Sequence, residues 1–248
     1  MSKQQGLRSY CQDCGSCDLH ESEKEEIEEQ LVDRIVDEVI QTLGITTHSA
    51  GKKSLKYPPI PLGVSNRHIH LTKATFEKLF GVGTEFEVLR ELYQPGEYAS
   101  QHSVALVGPK MRAISGVRIL GPLRDYDQVE LALTDAIQLG IKAPVRRSKD
   151  LKGAAPLTLV GPQASVYLTE CAIVANRHIH MTSEDARIYG VRDGDYCKVR
   201  IAGIKSTIFE NVQIRVNDDW KLQIHLDTDD ANAANVRCAT EVEFLGKM

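Results

Sequence analysis

The chain has 248 residues, of which 42% are hydrophobic and 26% charged, and its formal net charge is −4. This composition is typical of a globular protein with room for two compact domains. No apolar stretch approaches the roughly 18 residues that span a membrane, and the first residues lack the apolar core of a secretion signal. We therefore expect neither membrane insertion nor secretion.

Charge is distributed unevenly along the chain. Residues 18–38 contain ten acidic and two basic side chains, so the remainder is mildly basic. A mildly basic body suits an anionic small-molecule substrate, whereas the dense basic patch of a nucleic-acid-binding protein is missing. In this context the six cysteines are expected to be reduced thiols or metal ligands rather than disulfides.

Residues 1–22 form a cysteine-rich tail. Cys11, Cys14, Cys17 and His20 follow one another at intervals of three. Such a set can close around Zn²⁺ or ligate part of an iron–sulfur cluster, but a terminal tail with free thiols fits the pattern equally well. We treat it as a candidate extra metal cluster without a catalytic role.

Residues 23–43 are predicted to form an amphipathic helix. Apolar residues recur at helical spacing from Ile27 to Leu43, the opposite face is acidic, and Gly44 ends the pattern. Residues 44–57 have the composition of a linker. The helix can pack on its own domain, but a linker would leave its apolar stripe free to bind a partner, and we favour the partner.

The pentapeptide Asn-Arg-His-Ile-His occurs twice, at residues 66–70 and 176–180. In a strand, alternate side chains point to the same face, so His-Ile-His directs two imidazoles to one side and the isoleucine into a core. Paired neutral imidazoles are typical ligands of zinc and other transition metals. One such pair is weak evidence, but two identical copies indicate a duplicated unit with a two-centre metal site.

The body of the chain reads as short strands separated by Gly and Pro, a pattern of barrels or sandwiches. Short helices are predicted at 73–80 and 183–189, each directly after a His-Ile-His strand, which supports the duplication. The fold prediction is mainly β with short helices, in two similar small domains. The predicted strands include 103–107, 116–120, 157–160, 196–201, 211–216 and 220–226.

Two further residues are candidate ligands, because a catalytic zinc usually takes three protein donors. Glu130 and His225 both lie in segments where polar and apolar residues alternate, although a solvated glutamate or a packed histidine would give the same pattern. Arg124 precedes Glu130 and can hold phosphate bidentately, with a surface charge as its alternative. No nucleophile elbow, Walker loop or dinucleotide fingerprint is present.

These segments resemble a known family. The resemblance covers residues 58 to about 245 and is to the phosphate propanoyltransferases of bacterial microcompartments, the PduL-type phosphotransacylases. Besides the two pentapeptides, it rests on Gly-Pro-Leu-Arg at 121–124, Gln-Val-Glu at 128–130, Thr-Asp-Ala at 134–136, Leu-Gly-Ile at 139–141, Ala-Pro-Val-Arg at 143–146 and His-Leu-Asp-Thr-Asp at 225–229. Residues 148–150 depart from it, with Lys149 where the family pattern has glycine.

The resemblance implies two small β-barrels with a dinuclear zinc site between them. The first barrel would span 67–174 and the second 175–246, completed by the strand at 58–66. Carried over by position, His68, His70 and Glu130 would bind one Zn²⁺, and His178, His180 and His225 the other, with Co²⁺ or another divalent ion as alternatives. Arg124 would bind phosphate. The implied coenzyme A contacts are Val64, Ser65, Asn66, Arg90, Arg118, Leu120 and Asn232.

The implied activity is phosphate acyltransfer. A short-chain acyl-CoA, propanoyl-CoA or acetyl-CoA, and phosphate would be interconverted with acyl phosphate and CoA by direct transfer. The alternatives are a dinuclear acyl-CoA hydrolase and a non-catalytic scaffold of the microcompartment core. The resemblance also implies a location in the lumen of a cytoplasmic microcompartment of the kind that degrades propanediol, with residues 23–43 as an encapsulation peptide that binds shell or core proteins. We also expect a homo-oligomer.

Overall fold

The structure is a computed structural model that describes residues 56–236 and 240–248. The cysteine-rich tail, the predicted helix at 23–43 and the linker up to residue 55 lie outside the described residues. The chain from Tyr57 to Met248 forms one compact unit. No helix in the described part of the chain is both long and apolar enough to cross a membrane.

Strands dominate the described residues, and the helices among them are short. The strands are β1 (Ile60–Ser65), β2 (His68–His70), β3 (Val88–Glu91), β4 (Tyr98–Val107), β5 (Ala113–Gly121), β6 (Gln128–Leu131), β7 (Val145–Arg146), β8 (Ala155–Val160), β9 (Ser165–Ala175), β10 (His178–Met181), β11 (Tyr196–Ile201), β12 (Thr207–Val216), β13 (Gln223–Asp227) and β14 (Glu241–Lys247). The helices are α1 (Lys73–Phe80), α2 (Leu133–Leu139), α3 (Ser183–Tyr189) and α4 (Thr228–Ala234).

Within these residues the strands close into two six-stranded barrels. In the first, β4, β5, β2, β6 and β9 are neighbours in that order, and β8 closes the ring by pairing with both β9 and β4. In the second the order is β1, β13, β10, β12, β11 and β14, with β14 returning to β1. The prediction of two similar small β-barrels is confirmed.

The chain crosses twice from one barrel to the other. β1 pairs with β13 and β14 of the second barrel, although the next strand, β2, lies in the first. Likewise β9 pairs with β6 and β8 of the first barrel, although β10 lies in the second. The chain therefore crosses between the barrels directly before each His-Ile-His strand, which draws the two motifs to the interface.

The alternation within each motif positions the histidines. Ile69 and Ile179 are completely buried in the cores of the first and second barrels, and full burial of such a side chain contributes roughly 1.5–3 kcal/mol. Because neighbouring residues of a strand point to opposite faces, the histidines beside them face out of the barrels. The core thereby fixes the direction of the imidazoles.

A threonine begins the helix after each motif. Thr72 accepts a hydrogen bond from the Thr75 amide at 3.2 Å, and Thr182 accepts one from the Asp185 amide at 3.1 Å. These are N-cap interactions that satisfy otherwise unpaired helix amides. The predicted helices at 73–80 and 183–189 are confirmed.

Some predicted boundaries are wrong. The strand expected at 220–226 begins only at Gln223, because the Trp220 amide donates to the Asn217 carbonyl in a turn; the alternation of apolar residues continues into that turn and masks it. Strands β4, β5 and β12 are longer than expected. Tyr57, the last residue of the predicted linker, stacks on Tyr189 and packs edge-on against Phe244, so it belongs to the folded unit.

Candidate metal centre

The first barrel brings together His68, His70 and Glu130. Strand β2 runs antiparallel to β6, with His68 opposite Glu130 and His70 opposite Gln128. Each side chain offers a ligand atom, and the three atoms lie within 4.8 Å of one another. His68 Nε2 is 3.5 Å from Glu130 Oε2. Two imidazoles and a carboxylate form a donor set that suits zinc or a similar divalent ion.

The second barrel repeats this geometry with a third imidazole. Strand β10 runs antiparallel to β13, with His178 opposite His225. The ligand atoms of His178, His180 and His225 also lie within 4.8 Å of one another. The rings of His178 and His225 are parallel, with centroids 4.9 Å apart. This group has the neutral three-histidine composition of many zinc sites.

A backbone carbonyl orients the first histidine of each pair. Nδ1 of His68 lies 2.8 Å from the Asn66 carbonyl, and Nδ1 of His178 lies 2.8 Å from that of Asn176. Because a carbonyl only accepts, Nδ1 donates its proton and leaves Nε2 as the lone-pair nitrogen. This arrangement fixes the tautomer and ring orientation of a metal-binding histidine.

The remaining ring nitrogens fit a metal as well. His70 Nδ1, His180 Nδ1 and His225 Nε2 are buried without a hydrogen-bond partner, and buried polar atoms normally have one. Burial lowers the pKa of His180 to about 2 and that of His225 to about 4, and it also lowers the pKa of His70 and His178. The rings are thus neutral at pH 7, which is the metal-binding form.

The two groups face a common crevice between the barrels. His68 of the first group contributes electrostatically to lowering the pKa of His225 in the second, as expected for side chains that lie near one another. The crevice is lined by Ser65, Asn66, His68, Glu130, Leu131, Ala175, Asn176, His178, His225, Leu226 and Asp227.

A hydrogen-bond network supports Glu130. Gln128, which is completely buried, donates from Nε2 to Glu130 Oε1 at 2.6 Å and to Ser148 Oγ at 2.8 Å. Its Oε1 accepts from the Lys149 amide at 2.7 Å. These hydrogen bonds hold the Gln128 side-chain amide in one orientation. Because Gln128 bonds Oε1 of Glu130, the second carboxylate oxygen, Oε2, faces His68.

Arg124 lies beside the first group. Its amide donates to the Leu71 carbonyl at 2.8 Å, one residue after the His-Ile-His strand, and its positive charge lowers the pKa of His70. The guanidinium pairs with Glu97 at 2.9 Å, while its buried Nε has no hydrogen-bond partner. One edge of the guanidinium is thus held by Glu97, and the Nε–H group can still donate a hydrogen bond to an anion.

Comparison with known proteins identifies the family. Residues 61–237 match the family model described as phosphate propanoyltransferase. The chain is 44% identical to the phosphate propanoyltransferase of Lachnoclostridium phytofermentans over 87% of its own length and 97% of the relative's. It is 50% identical to that of Salmonella typhimurium and 48% to that of Thermotoga maritima, each over 85% of the relative. The chain belongs to the phosphate propanoyltransferase family. It is an enzyme of the transferase class.

The resemblance assigns seven residues to coenzyme A binding, and in this family member they lie on or next to several strands and on one helix. Val64 and Ser65 end β1, Asn66 follows it, and Ser65 and Asn66 line the crevice. Arg90 lies on β3 and pairs with Ala99, which in turn pairs with Leu120 on β5. Of the remaining two residues, Arg118 lies on β5 and is paired with His68 of β2, and Asn232 is exposed on α4.

Sequence reasoning did not assign a role to the arginine of each pentapeptide. Arg67 pairs with Asp135 of α2 at 3.0 Å, and Arg177 pairs with Asp230 of α4 at 2.7 Å. Each aspartate follows the third candidate ligand, Glu130 or His225, by five residues. A signal was present: Gln-Val-Glu-Leu at 128–131 and Gln-Ile-His-Leu at 223–226 each precede Asp-Ala at the same distance, so the duplication extends beyond the pentapeptides.

No feature of the sequence indicated a functional role for two residues of the second barrel. Trp220 stacks on His180 with ring centroids 4.0 Å apart. Arg215 lies on β12 opposite His180 and is 6% exposed. Each is a single residue without a repeat or motif, so its place beside the candidate ligands becomes apparent only in the folded chain.

Proposed function

We propose that this protein transfers a short acyl group between coenzyme A and phosphate, with propanoyl or acetyl as the acyl group and two divalent metal ions, zinc in the first instance, as cofactors. The carrying observation is the pair of three-ligand groups that face one crevice, with buried, unpaired ring nitrogens in both. The family supplies the reaction class, and the geometry supplies two adjacent sites where the reactants can meet.

The reaction balances without an external oxidant or base. An oxygen of hydrogen phosphate forms a bond to the thioester carbonyl carbon, the carbon–sulfur bond breaks, and the CoA sulfur takes up the proton that hydrogen phosphate loses. Divalent ions held at the two groups would supply Lewis-acid polarisation of the carbonyl and stabilise the leaving thiolate. Three protein ligands per ion would leave positions open for substrate atoms.

Arg124 is the candidate phosphate-binding residue. Its main chain is tied to Leu71, and Glu97 holds one edge of the guanidinium at 2.9 Å. A guanidinium fixed in this way loses little freedom when it binds two phosphate oxygens. Its positive charge also favours the additional negative charge that develops on the carbonyl oxygen during transfer.

Direct transfer is favoured over a covalent enzyme intermediate. Within the part of the chain that the structure describes, the thiols are those of Cys171 and Cys197; both are buried, and burial raises the pKa of each to about 12. A thiol with such a pKa is protonated at neutral pH and is a poor nucleophile. Both thiols also point into the barrel cores, away from the histidines.

The decisive measurement is thiol release from propanoyl-CoA by the purified full chain. We expect release that requires phosphate and stops after chelation, with formation of an equal amount of acyl phosphate. Release without phosphate would identify a hydrolase instead. No release from any short acyl-CoA by the metal-loaded protein would indicate a structural role.

Arg124→Ala tests the assigned phosphate site. Loss of a charged hydrogen-bonding partner costs about 1.5–3 kcal/mol, so we expect kcat/KM for phosphate to fall by roughly 10-fold to 150-fold. Arg112→Ala removes an exposed arginine of the same barrel and serves as the control. Near-normal turnover of Arg124→Ala at low phosphate would contradict the assignment.

We further propose that residues 23–43 direct the enzyme to the lumen of a bacterial microcompartment by binding shell or core proteins. The support is the apolar stripe of the predicted helix and the match to the L. phytofermentans relative. That match covers 216 residues, which is longer than the compact unit that begins at Tyr57, so it includes part of the preceding segment. Deletion of residues 1–50 should leave acyl transfer intact and abolish packaging; a truncated enzyme that is still packaged would contradict this proposal.

A further inference from the structure

Arg215 is a buried cation with an unused donor. It is 6% exposed, its Nη2 has no hydrogen-bond partner, and its Nε makes a long contact of 3.4 Å with Gln213 Oε1. Among the residues that the structure describes, no carboxylate forms an ion pair with it. A guanidinium removed from water is costly unless an anion or acceptor oxygens compensate it.

Arg215 lies beside the second ligand group, opposite His180 on the neighbouring strand. Its positive charge lowers the pKa of His178, His180 and His225 in the second barrel. The carboxylates whose negative charge acts on it are Glu130 of the first barrel and, more weakly, Asp193. The oxygens of Glu130 are directed to Gln128 and His68, and Asp193 accepts a hydrogen bond from the Val216 amide. Protein groups therefore do not neutralise Arg215, and two divalent ions nearby would add to the positive charge.

The fold does not require an arginine at this position. In the second barrel Gln213 lies opposite His178, and Arg215 follows two residues later. In the first barrel Arg118 lies opposite His68, and Leu120 follows two residues later. The duplicated scaffold is thus built with leucine at the equivalent point, so the charge of Arg215 serves something other than barrel packing.

We infer that Arg215 binds the phosphoryl group of the substrate, as phosphate or acyl phosphate, from the side of the second barrel. This inference rests on the proposed function and adds a second anion-binding guanidinium to Arg124. Two arginines, one from each barrel, can engage different oxygens of one phosphoryl group, whereas a carboxylate or thiolate offers fewer acceptors. The same guanidinium chemistry would also accept a phosphate of coenzyme A, so the test must separate the two sources.

The test compares Arg215→Gln and Arg215→Leu with the wild type in the metal-loaded full chain. Leucine is the residue that the first barrel carries at the equivalent position, so Arg215→Leu provides a second test if the glutamine variant does not fold. Arg147→Gln is the matched control, because Arg147 is an exposed arginine whose charge acts on Arg215. Titration calorimetry measures the binding of inorganic phosphate and, separately, of CoA, and elemental analysis measures the metal content.

We expect the dissociation constant for phosphate to rise at least about tenfold in both Arg215 variants, while CoA affinity and metal content stay within about twofold of the wild type and Arg147→Gln stays near it. In kinetics, KM for phosphate should rise, with KM for acyl-CoA little changed. Unchanged phosphate affinity, a loss of CoA affinity instead, or loss of metal in both variants would each overturn the assignment.

The two proposals fail in different ways. A wild type that binds phosphate but transfers no acyl group would contradict the proposed function, and the phosphate isotherms of the Arg215 variants would still decide the role of this residue. A wild type that transfers acyl groups, with Arg215 variants of normal phosphate affinity, would leave the function standing and remove Arg215 from it.

Discussion

The two barrels build their ligand groups with the same register but complete them differently. His68 faces Glu130 across the first barrel's strand pair, and His178 faces His225 across the second's. A carboxylate in the first group offsets part of a divalent ion's charge, whereas the second group is neutral. Arg215 increases the positive potential around the second group further. Duplication thus conserved the scaffold, and single substitutions divided the electrostatic roles between the two halves.

The glutamine two residues before each third ligand shows the same divergence. Gln128 donates to Glu130 at 2.6 Å and so supports a candidate ligand. Gln223 occupies the equivalent position but contacts Gln94 of the first barrel at 3.4 Å. Gln94 in turn bonds both the amide and the carbonyl of Lys221. In one half the glutamine orients a candidate ligand, and in the other it joins the two barrels.

The largest effect is expected from removing either histidine pair. His68→Ala/His70→Ala and His178→Ala/His180→Ala should each lose one of two metal equivalents, because the ligand groups use separate side chains. Turnover should fall at least about a hundredfold in both, since Lewis-acid stabilisation is worth several kcal/mol. Elemental analysis and the thiol-release assay measure the two effects. His102→Asn, which removes a histidine outside both groups, should keep both equivalents.

Trp220 can report which group has lost its ion. It is the chain's one tryptophan, and its ring lies 4.0 Å from that of His180. Co²⁺, which quenches nearby fluorophores, should quench its fluorescence in the wild type and in His68→Ala/His70→Ala but not in His178→Ala/His180→Ala. Loss of both equivalents from either double variant would show that the groups are not independent.

Gln128 and Gln223 are expected to differ in their effect on metal affinity. Gln128→Ala should weaken metal binding at the first group about 10-fold to 100-fold, the usual effect of removing a hydrogen bond to a ligand. Gln223→Ala should leave metal affinity near normal, because Gln223 bonds Gln94 instead of His225. Competition with a chromogenic chelator measures both. Equal weakening in the two variants would mean that the halves support their ligands alike.

The sequence predicts much of this architecture because its signals are repeated or periodic. The two His-Ile-His segments, the helices after them and the ligand candidates Glu130 and His225 all follow from alternation or duplication. The placement of β1 in the second barrel followed only from the family resemblance, since short strands carry no information on their pairing partners. Arg215 and Trp220 are single residues whose neighbours are distant in the chain, and no local pattern indicates such contacts.

Acid should destabilise the metal-free protein through the second group. The pKa of His180 is about 2 in the folded chain and about 6.5 in an unfolded one. Between these values the unfolded state binds more protons, so the free energy of unfolding falls as pH decreases below about 6.5. Between pH 7.5 and 5.0 this residue should account for about 1–2 kcal/mol.

Urea unfolding of the metal-free wild type and of His180→Gln at both pH values measures this contribution. The other buried histidines remain in the variant, so it should still lose stability in acid, but by a smaller amount than the wild type. The same loss in both proteins would mean that His180 is readily protonated in the folded state.

The smallest effect concerns the turn that holds Gln128. Lys149 stands where the family pattern has glycine, and its φ of 76° lies in the left-handed region, which costs a non-glycine residue roughly 1–2 kcal/mol. Its ammonium partly offsets this cost, because it lies 5.4 Å from the centre of the Tyr126 ring.

Lys149→Gly should therefore stabilise the protein by about 0.5–1 kcal/mol, measured by urea unfolding. Lys149→Ala keeps the backbone strain and loses the ring contact, so it should be less stable than the wild type. Both variants retain the amide that bonds Gln128 and should bind metal normally; if glycine gave no gain over alanine, backbone strain would not be the reason for glycine in the family pattern.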